Sequence, residues 1–286
     1  MSNLLVTGAN GKLGRHVVKL LLEKGHDHII AASRDTAKLA DLAAKGAEIR
    51  RADFDDIASL ATAFKGADRI LIISTDALGA GQRLRQHLAA VKAATEAGAE
   101  IVYTSMPKPD NSAVIFAPDH AGTEKAIIAS GQPYTILRDA WYQENLLLNL
   151  PGAFASGTLY TSSGEGLQAH VSHADVARSV AAALNKPSVN EILTLTGPEL
   201  LTTQQIAALA SEITGKPLAV VDLTDDQLAG GMKAAGVPET LIPMLVSFDT
   251  TTREGGFDIL TGDIEKLTGR KPETLRAFFE ANTAAF

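Results

Sequence analysis

The sequence predicts an α/β fold, in which a doubly wound parallel sheet is followed by a smaller C-terminal α/β lobe. Up to Tyr142, short apolar runs alternate with helix-length segments, and each of these segments ends at a glycine. The pattern changes after Tyr142. This alternation is typical of right-handed crossovers between parallel strands. The apolar runs predict six strands, at Leu4–Val6, Ile29–Ala32, Glu48–Arg50, Ile70–Ile73, Ile101–Tyr103 and Tyr134–Leu137.

Glycines mark the predicted ends of the helical segments between these strands. A glycine just past a helix adopts the left-handed conformation that other residues adopt only at a cost. The glycines in question are Gly25, Gly46, Gly66, Gly98 and Gly131. The run Ile70–Ile73 is apolar on both faces, which is typical of a central strand in a parallel sheet.

The second half of the chain has a different pattern of apolar runs and helical segments. It predicts a short strand at Thr158–Thr161, a helix capped by Asp175, a strand at Ile192–Leu195 and a helix from Thr203 to about Thr214. We expect one domain over residues 1–150 and the smaller lobe over residues 151–286. We expect the helix and strand near residues 175–196 to pack back on the first domain.

Composition excludes several classes of protein. The chain of 286 residues has no cysteine, so disulfides, thiolate zinc sites and iron–sulfur clusters are ruled out. A net charge of -7 without charge blocks argues against nucleic acid as a partner. No apolar run reaches the ~18 residues of a membrane helix, and the N-terminus lacks signal-peptide features. We therefore expect a cytoplasmic protein that binds neither nucleic acid nor a membrane.

A glycine-rich loop follows the first predicted strand and opens the first helix. Gly8 would allow a tight turn, Gly11 would let the backbone approach a diphosphate, and Gly14 would let the helix pack on the strand. Exposed N–H groups at the helix start would then bind the phosphates. The sequence thus predicts a Rossmann-type dinucleotide site at Gly8, Ala9, Asn10, Gly11, Lys12, Leu13 and Gly14.

Arg34 stands where an acidic ribose partner is expected, about 20 residues after the last glycine of the loop. A guanidinium there would pair with a 2′-phosphate, which favours NADP(H) over NAD(H). Lys12 and Lys38 could add positive charge. The alternative is that Arg34 is solvated and Asp35 binds the ribose hydroxyls.

Polar residues also follow the third, fourth and fifth predicted strands. Asp53 is either an acceptor for the adenine amino group or a helix N-cap, and capping is the favoured role. Ligands of open α/β sheets bind at the carboxyl edge of the sheet. We therefore expect the cofactor to meet the strand ends at Ser74, Thr75, Asp76, Thr104 and Ser105.

Three further segments resemble the NmrA-like atypical short-chain dehydrogenase/reductases: Thr123–Lys125, Leu137–Asn145 and Leu267–Leu275. Within that group the chain is most similar to flavin-free bacterial NAD(P)H:quinone oxidoreductases, with triphenylmethane dye reductases as close relatives. The resemblance covers nearly the whole chain. It implies bound NADP(H) without flavin or metal, a substrate cleft between the lobes, and a nicotinamide near Asp139, Ala140, Trp141, Tyr142, Gln143 and Glu144.

The chain departs from ordinary short-chain dehydrogenases at their Tyr-x-x-x-Lys pair. Four residues before Lys125 stands Ala121, so the proton-donating tyrosine is absent. Lys125 is a candidate catalytic residue that would hold the nicotinamide ribose, and its alternative is a surface lysine paired within its helix. Reduction of a quinone depends less on a proton donor in the protein than reduction of a ketone does, because hydride delivery yields a stabilised phenolate that water can protonate.

Trp141 and Tyr142 are the candidate substrate-binding residues, since flat aromatic walls suit a quinone or dye ring. Tyr142 is also a candidate catalytic residue, because its hydroxyl could bind a substrate oxygen. The alternative for Trp141 is that it fills the lobe interface. His120 could face the cleft as a proton donor. The pairs His26/His28 and His170/His173 match no metal-ligand pattern, so no metal site is expected.

These expectations describe an NADPH-dependent reductase that transfers hydride directly to a quinone or a similar electron-poor aromatic acceptor. The first alternative acceptor is a triphenylmethane or azo dye. The second alternative is a non-catalytic NADP-sensing regulatory protein of the NmrA type, which the missing tyrosine keeps open. The expected partner is therefore a small aromatic molecule, and a homo-oligomer remains open.

Overall fold

The computed structural model describes residues 2–25 and 28–286. Within these residues the main sheet has seven parallel strands in the order β3-β2-β1-β4-β5-β6-β9. This order confirms the doubly wound Rossmann-type sheet. The strands are β1 (Asn3–Val6), β2 (His28–Ser33), β3 (Glu48–Arg51), β4 (Arg69–Ile72), β5 (Glu100–Ser105), β6 (Tyr134–Asp139), β7 (Thr158–Thr161), β8 (Leu167–Gln168), β9 (Glu191–Leu195), β10 (Leu201–Thr202) and β11 (Ala219–Asp222).

The structure also contains α-helices, some of which cover the two faces of this sheet. They are α1 (Lys12–Lys24), α2 (Ala40–Ala43), α3 (Ile57–Phe64), α4 (Gln82–Glu96), α5 (Ala117–Ala129), α6 (Leu146–Ser156), α7 (His173–Leu184), α8 (Thr203–Thr214), α9 (Asp225–Ala234), α10 (Ile242–Arg253), α11 (Asp263–Thr268) and α12 (Leu275–Ala281). Successive side chains of a strand point to opposite faces of the sheet. Leu4 therefore packs in the core under α1 and α7, whereas Leu5 packs in the core under α3, α4 and α5.

Each glycine that was expected to end a helical segment has a positive φ, between 68° at Gly25 and 101° at Gly46. The turns into the next strands therefore form as the sequence predicts.

The chain returns to the sheet through α7 and β9. Strand β9 pairs in parallel with β6, from Thr135 opposite Glu191 to Asp139 opposite Leu195. The predicted cap of α7 is wrong: Ser172 is the N-cap, and its hydroxyl oxygen accepts a hydrogen bond from the Asp175 amide at 3.1 Å. Asp175 lies in the first turn, where a carboxylate complements the helix dipole. The division of the chain at residue 150 stays a prediction.

Outside the main sheet, β7 pairs with β11 and β8 pairs with β10. A separate core lies among α6, α8 and α12, with Leu150, Ile206 and Phe279 fully buried or nearly so. A fourth apolar cluster joins Met106, Val114 and Ala117 to Phe257 from beyond α10. Among the described helices, none has the length and apolar character needed to cross a membrane.

Candidate functional site

The glycine loop has the geometry of an anion cradle. Gly8 has a φ of +61°, and a side chain at Gly14 would place a Cβ 2.4 Å from the Gly8 carbonyl oxygen. Both positions therefore require glycine. Gly11 is the N-cap of helix α1 and makes no side-chain cap, and the first turn of the helix holds no acidic residue. Its first amides are thus left for an external acceptor, which fits a dinucleotide diphosphate.

A cavity of about 650 Å³ runs from this loop along the carboxyl edge of the sheet. It brings together seven of the predicted cofactor residues: Gly8, Asn10, Gly11, Arg34, Ser74, Thr75 and Asp76. Its wall also contains Phe54, Gln82 and Gln86, which could not be predicted because nothing in their local sequence distinguishes them from helix and turn residues. The cavity is lined by residues that follow β1, β2, β3 and β4, which are neighbours in the sheet in the order β3-β2-β1-β4.

Arg34 lies at the cavity wall as an exposed cation with no ion-pair partner in the described residues. Its neighbour Asp35 is paired with Lys38 at 3.5 Å. Both side chains of this surface pair line the cavity, so Asp35, the alternative ribose partner, also lies at the site. Arg15 donates hydrogen bonds to the Lys38 carbonyl oxygen at 2.5 Å and to Asn10 at 3.2 Å, which ties this segment to the glycine loop.

The helix-capping role expected for Asp53 is wrong. Asp56 caps α3, and its Oδ1 accepts from the Ser59 amide at 3.2 Å. Asp53 instead accepts from the Asp55 amide at 3.1 Å and lines the cavity. The sequence places two aspartates three residues apart before the helix, and spacing alone does not tell which of them caps it.

The ends of β4 and β5 are fixed by hydrogen bonds. The Ser74 amide donates to Thr104 Oγ1 at 3.0 Å, and the Thr75 amide donates to His87 Nε2 at 3.0 Å. Ser105 is buried and donates to Glu124 at 2.6 Å, a carboxylate that also pairs with Arg138 at 2.6 Å. Thr104 and Ser105 therefore support the cavity edge and are not part of its wall.

His120 does not have the character expected of a proton donor. It is 4% exposed, and its Nδ1 lies 2.8 Å from the Tyr103 hydroxyl. Burial lowers the pKa of His120 to about 3, and it does the same to His87. Both rings are therefore neutral near pH 7 and act as hydrogen-bonding links between β5, α4 and α5.

Asp139, Tyr142 and His173 form a group beyond the end of β6. The Tyr142 hydroxyl donates to Asp139 Oδ2 at 2.9 Å, and its ring centroid lies 4.3 Å from that of His173. Asp139 Oδ1 is buried without a hydrogen-bond partner. Burial raises the pKa of Asp139 to about 7, against the hydrogen bond from Tyr142 that lowers it. Burial also raises the pKa of Tyr142 well above its usual value.

This raised pKa predicts that Asp139 makes stability fall with pH. The unfolded chain releases this proton near pH 4 and the folded chain near pH 7, so the free energy of unfolding declines across that interval and levels above it. Asp139→Asn removes the ionisation. We expect its stability relative to wild type to rise by roughly 2 kcal/mol between about pH 5 and about pH 8, measured by urea unfolding. An equal difference at both pH values would contradict the assignment.

Trp141 points to the other side of the same segment and meets aromatic residues from distant parts of the chain. Its ring centroid lies 4.0 Å from that of Phe248 in α10, which in turn lies 5.9 Å from Phe116 before α5. We call Trp141, Phe248 and Phe116 the aromatic row. All three residues are half-buried. Neither phenylalanine is predicted as a site residue from the sequence.

The other residues of segment 139–144 make structural hydrogen bonds. The Ala140 amide donates to the Leu195 carbonyl oxygen. Gln143 is fully buried, and its side-chain Nε2 donates to the His170 carbonyl oxygen at 3.3 Å. Glu144 accepts from the His173 amide at 2.9 Å. These bonds hold Asp139, Trp141 and Tyr142 in place.

Lys125 is not brought to the cavity. Its side chain is 71% exposed, and its ammonium group pairs with Asp110 at 2.8 Å. The partner lies in the loop before α5, so the pair is not within the helix as the alternative supposed. This geometry gives no support to the catalytic role expected for Lys125.

The histidine pairs show no metal site in the part of the chain that the structure describes. His170 is buried, and burial lowers its pKa to about 4. His26, one member of the other pair, lies outside the described residues.

Comparison with known proteins identifies the family. Residues 8–187 match the NAD(P)H-binding family. The chain is 34% identical to quinone oxidoreductase 2 of Escherichia coli (strain K12) over 95% of this chain and 96% of that protein.

Solved structures agree with this match. An NADPH-dependent quinone oxidoreductase of Escherichia coli, complexed with NADPH, superimposes with a TM-score of 0.91 at 33% identity, covering 98% of this chain and 99% of that one. The triphenylmethane reductase of Citrobacter sp., complexed with NADP(H), gives a TM-score of 0.89 at 29% identity with the same coverage. These matches confirm the predicted resemblance, and the glycine loop and cavity lie within the matched residues. The chain belongs to the NAD(P)H-binding family.

Proposed function

We propose that the protein is an NADPH-dependent reductase that transfers hydride directly to a quinone or a similar electron-poor aromatic acceptor. The observation that carries this proposal is the cavity of about 650 Å³, which joins the uncapped start of α1 to the unpaired Arg34. The likeness to a quinone oxidoreductase supports the choice of acceptor.

The first role of the protein is to bind and orient the cofactor. The glycine loop binds the diphosphate through its backbone amides, with Lys12 exposed beside it. Arg34 and Lys38 bind the 2′-phosphate, which favours NADPH over NADH. Once bound, NADPH supplies the hydride. The proposal includes neither flavin nor metal.

Its second role is to hold the acceptor and a proton. Trp141 and Tyr142 provide aromatic surface on the acceptor side, and Phe248 extends the surface on which Trp141 packs. Tyr142 stays protonated because its pKa is raised, and Asp139 keeps a proton up to about pH 7. The Tyr142 hydroxyl donates its hydrogen bond to Asp139, which keeps this side of the site protonated, and water protonates the phenolate that hydride delivery yields. Placement of the two reactants supplies most of the rate enhancement.

A second candidate acceptor is a triphenylmethane dye. The likeness to a triphenylmethane reductase favours it. The aromatic row offers stacking surface to a large planar ring as readily as to a quinone. A regulatory role for NADP binding alone has no observation of its own to favour it over reduction.

Turnover is the direct test of this function. We expect purified protein with NADPH to reduce a benzoquinone, measured as loss of nicotinamide absorbance, without added flavin. NADH should support the reaction less well. A parallel assay with a triphenylmethane dye ranks the two acceptors. Tight NADP binding without turnover of any quinone or dye would refute the reductase and leave the regulator.

A further inference from the structure

Arg83 is a buried cation that the proposed function does not use. It lies in the first turn of α4 and is 7% exposed. Its guanidinium carbon stands 4.4 Å from the centroid of the Phe116 ring, in the geometry of a cation–π contact. Arginine is seldom fully buried without a partner.

No such partner is present among the described residues. The ion pairs within 4.0 Å include none for Arg83, and its Nε is buried without a hydrogen bond. Asp76 and Asp119 act on it electrostatically only from beyond ion-pair distance. Burial lowers its pKa, yet an arginine stays charged in proteins. A buried charge without a counter-ion costs stability, which suggests that the counter-ion comes from a ligand.

The surroundings of Arg83 reinforce its positive charge. Gly81 is the N-cap of helix α4 and makes no side-chain cap, and the first turn of the helix holds no acidic residue. The dipole of this helix therefore adds positive potential beside the guanidinium. Gln82 and Gln86 line the cofactor cavity, but Arg83 does not. The Arg83 guanidinium instead contacts the ring of Phe116, which lies just before α5.

Arg83 lies at one end of the aromatic row, because it contacts Phe116, Phe116 contacts Phe248, and Phe248 contacts Trp141. Building on the proposed function, we propose that Arg83 binds an acidic substituent of the acceptor, a carboxylate, sulfonate or ionised phenol, while the planar ring lies along the aromatic row. The protein would then prefer anionic aromatic acceptors to neutral ones of the same shape. Arg83 is thus a specificity-determining residue.

The test compares a naphthoquinone with its sulfonated derivative. Trp141 is the only tryptophan, so quenching of its fluorescence reports binding to the NADP⁺-loaded protein without turnover. We expect Arg83→Met to weaken sulfonate binding by about 10-fold to 100-fold and neutral naphthoquinone by less than about twofold. Arg83→Lys keeps the charge and should retain part of the preference. The ratio of kcat/KM for the two acceptors should change in the same way.

Arg85→Met is the matched control, since it removes one charge from the same helix. Arg85 is 68% exposed and pairs with Asp55, so neither acceptor should be affected. Arg83→Met should unfold at the same or a higher temperature, because it removes an unpaired buried charge. Equal weakening of both naphthoquinones, a marked fall in unfolding temperature, or weaker NADP⁺ binding would each overturn the proposal.

The same experiment separates this inference from the function on which it rests. Sulfonate binding that depends on Arg83, in a protein that reduces neither naphthoquinone nor any other quinone or dye tested, would refute the reductase and retain the anion site. Efficient reduction of both naphthoquinones with the same ratio in wild type and Arg83→Met would retain the reductase and refute the anion site.

Discussion

Gly14→Val is expected to weaken NADPH binding by at least about 100-fold, a loss of about 3 kcal/mol. The Cβ alone would stand 2.4 Å from the Gly8 carbonyl oxygen and 2.8 Å from its carbon, so the loop or the helix must move. Either movement displaces the backbone amides that are proposed to bind the diphosphate. Titration calorimetry with NADPH measures the effect, and circular dichroism shows whether the fold survives.

Gly230→Val is the control for this substitution. Gly230 lies inside α9, and a Cβ there would meet no atom within 4 Å. The same chemical change should therefore leave NADPH binding unaltered. A folded Gly14→Val protein that binds NADPH as tightly as wild type would show that the diphosphate does not depend on this loop.

Arg34→Ala is expected to weaken NADPH binding on the order of 100-fold and NADH binding by less than about threefold. The two cofactors differ by the 2′-phosphate, and Arg34 is the unpaired cation at the cavity wall in the described part of the chain. Dissociation constants for both cofactors measure the difference. The loss should appear with little change in stability, because Arg34 is exposed and has no partner to leave behind.

Lys45→Ala provides the charge control, because Lys45 is exposed and lies outside the cavity wall. Its removal should shift neither cofactor by more than about twofold, the size expected of a screened surface charge. Equal losses of NADPH and NADH in Arg34→Ala would contradict the assignment of the 2′-phosphate.

The sheet could be predicted from the sequence because its signals are local. Each apolar run is short, flanked by glycine, and followed by a helix that must cross back in one direction. The glycine loop could be predicted for the same reason, since Gly8, Gly11 and Gly14 are spaced within one turn and the start of one helix. The position of Lys125 could not be predicted from the family pattern. Its side chain pairs with Asp110 in the loop before α5, and this contact forms only in the folded chain.

The acceptor side could not be predicted because it forms by long-range packing. Phe248 reaches Trp141 only when α10 folds over the edge of the sheet, more than 100 positions away in the chain. Arg83 looks like an ordinary surface residue in a helix that carries several charges. Its burial follows from the approach of Phe116, which the local sequence does not encode.

The central claim is that the loop after β1 binds an adenine dinucleotide and that Arg34 selects its phosphorylated form. Calorimetric titration of the wild-type protein with NADPH and then with NADH measures both parts at once. We predict saturable binding of one NADPH per chain, tighter than that of NADH. Absence of heat with either nucleotide in a folded sample would contradict the claim.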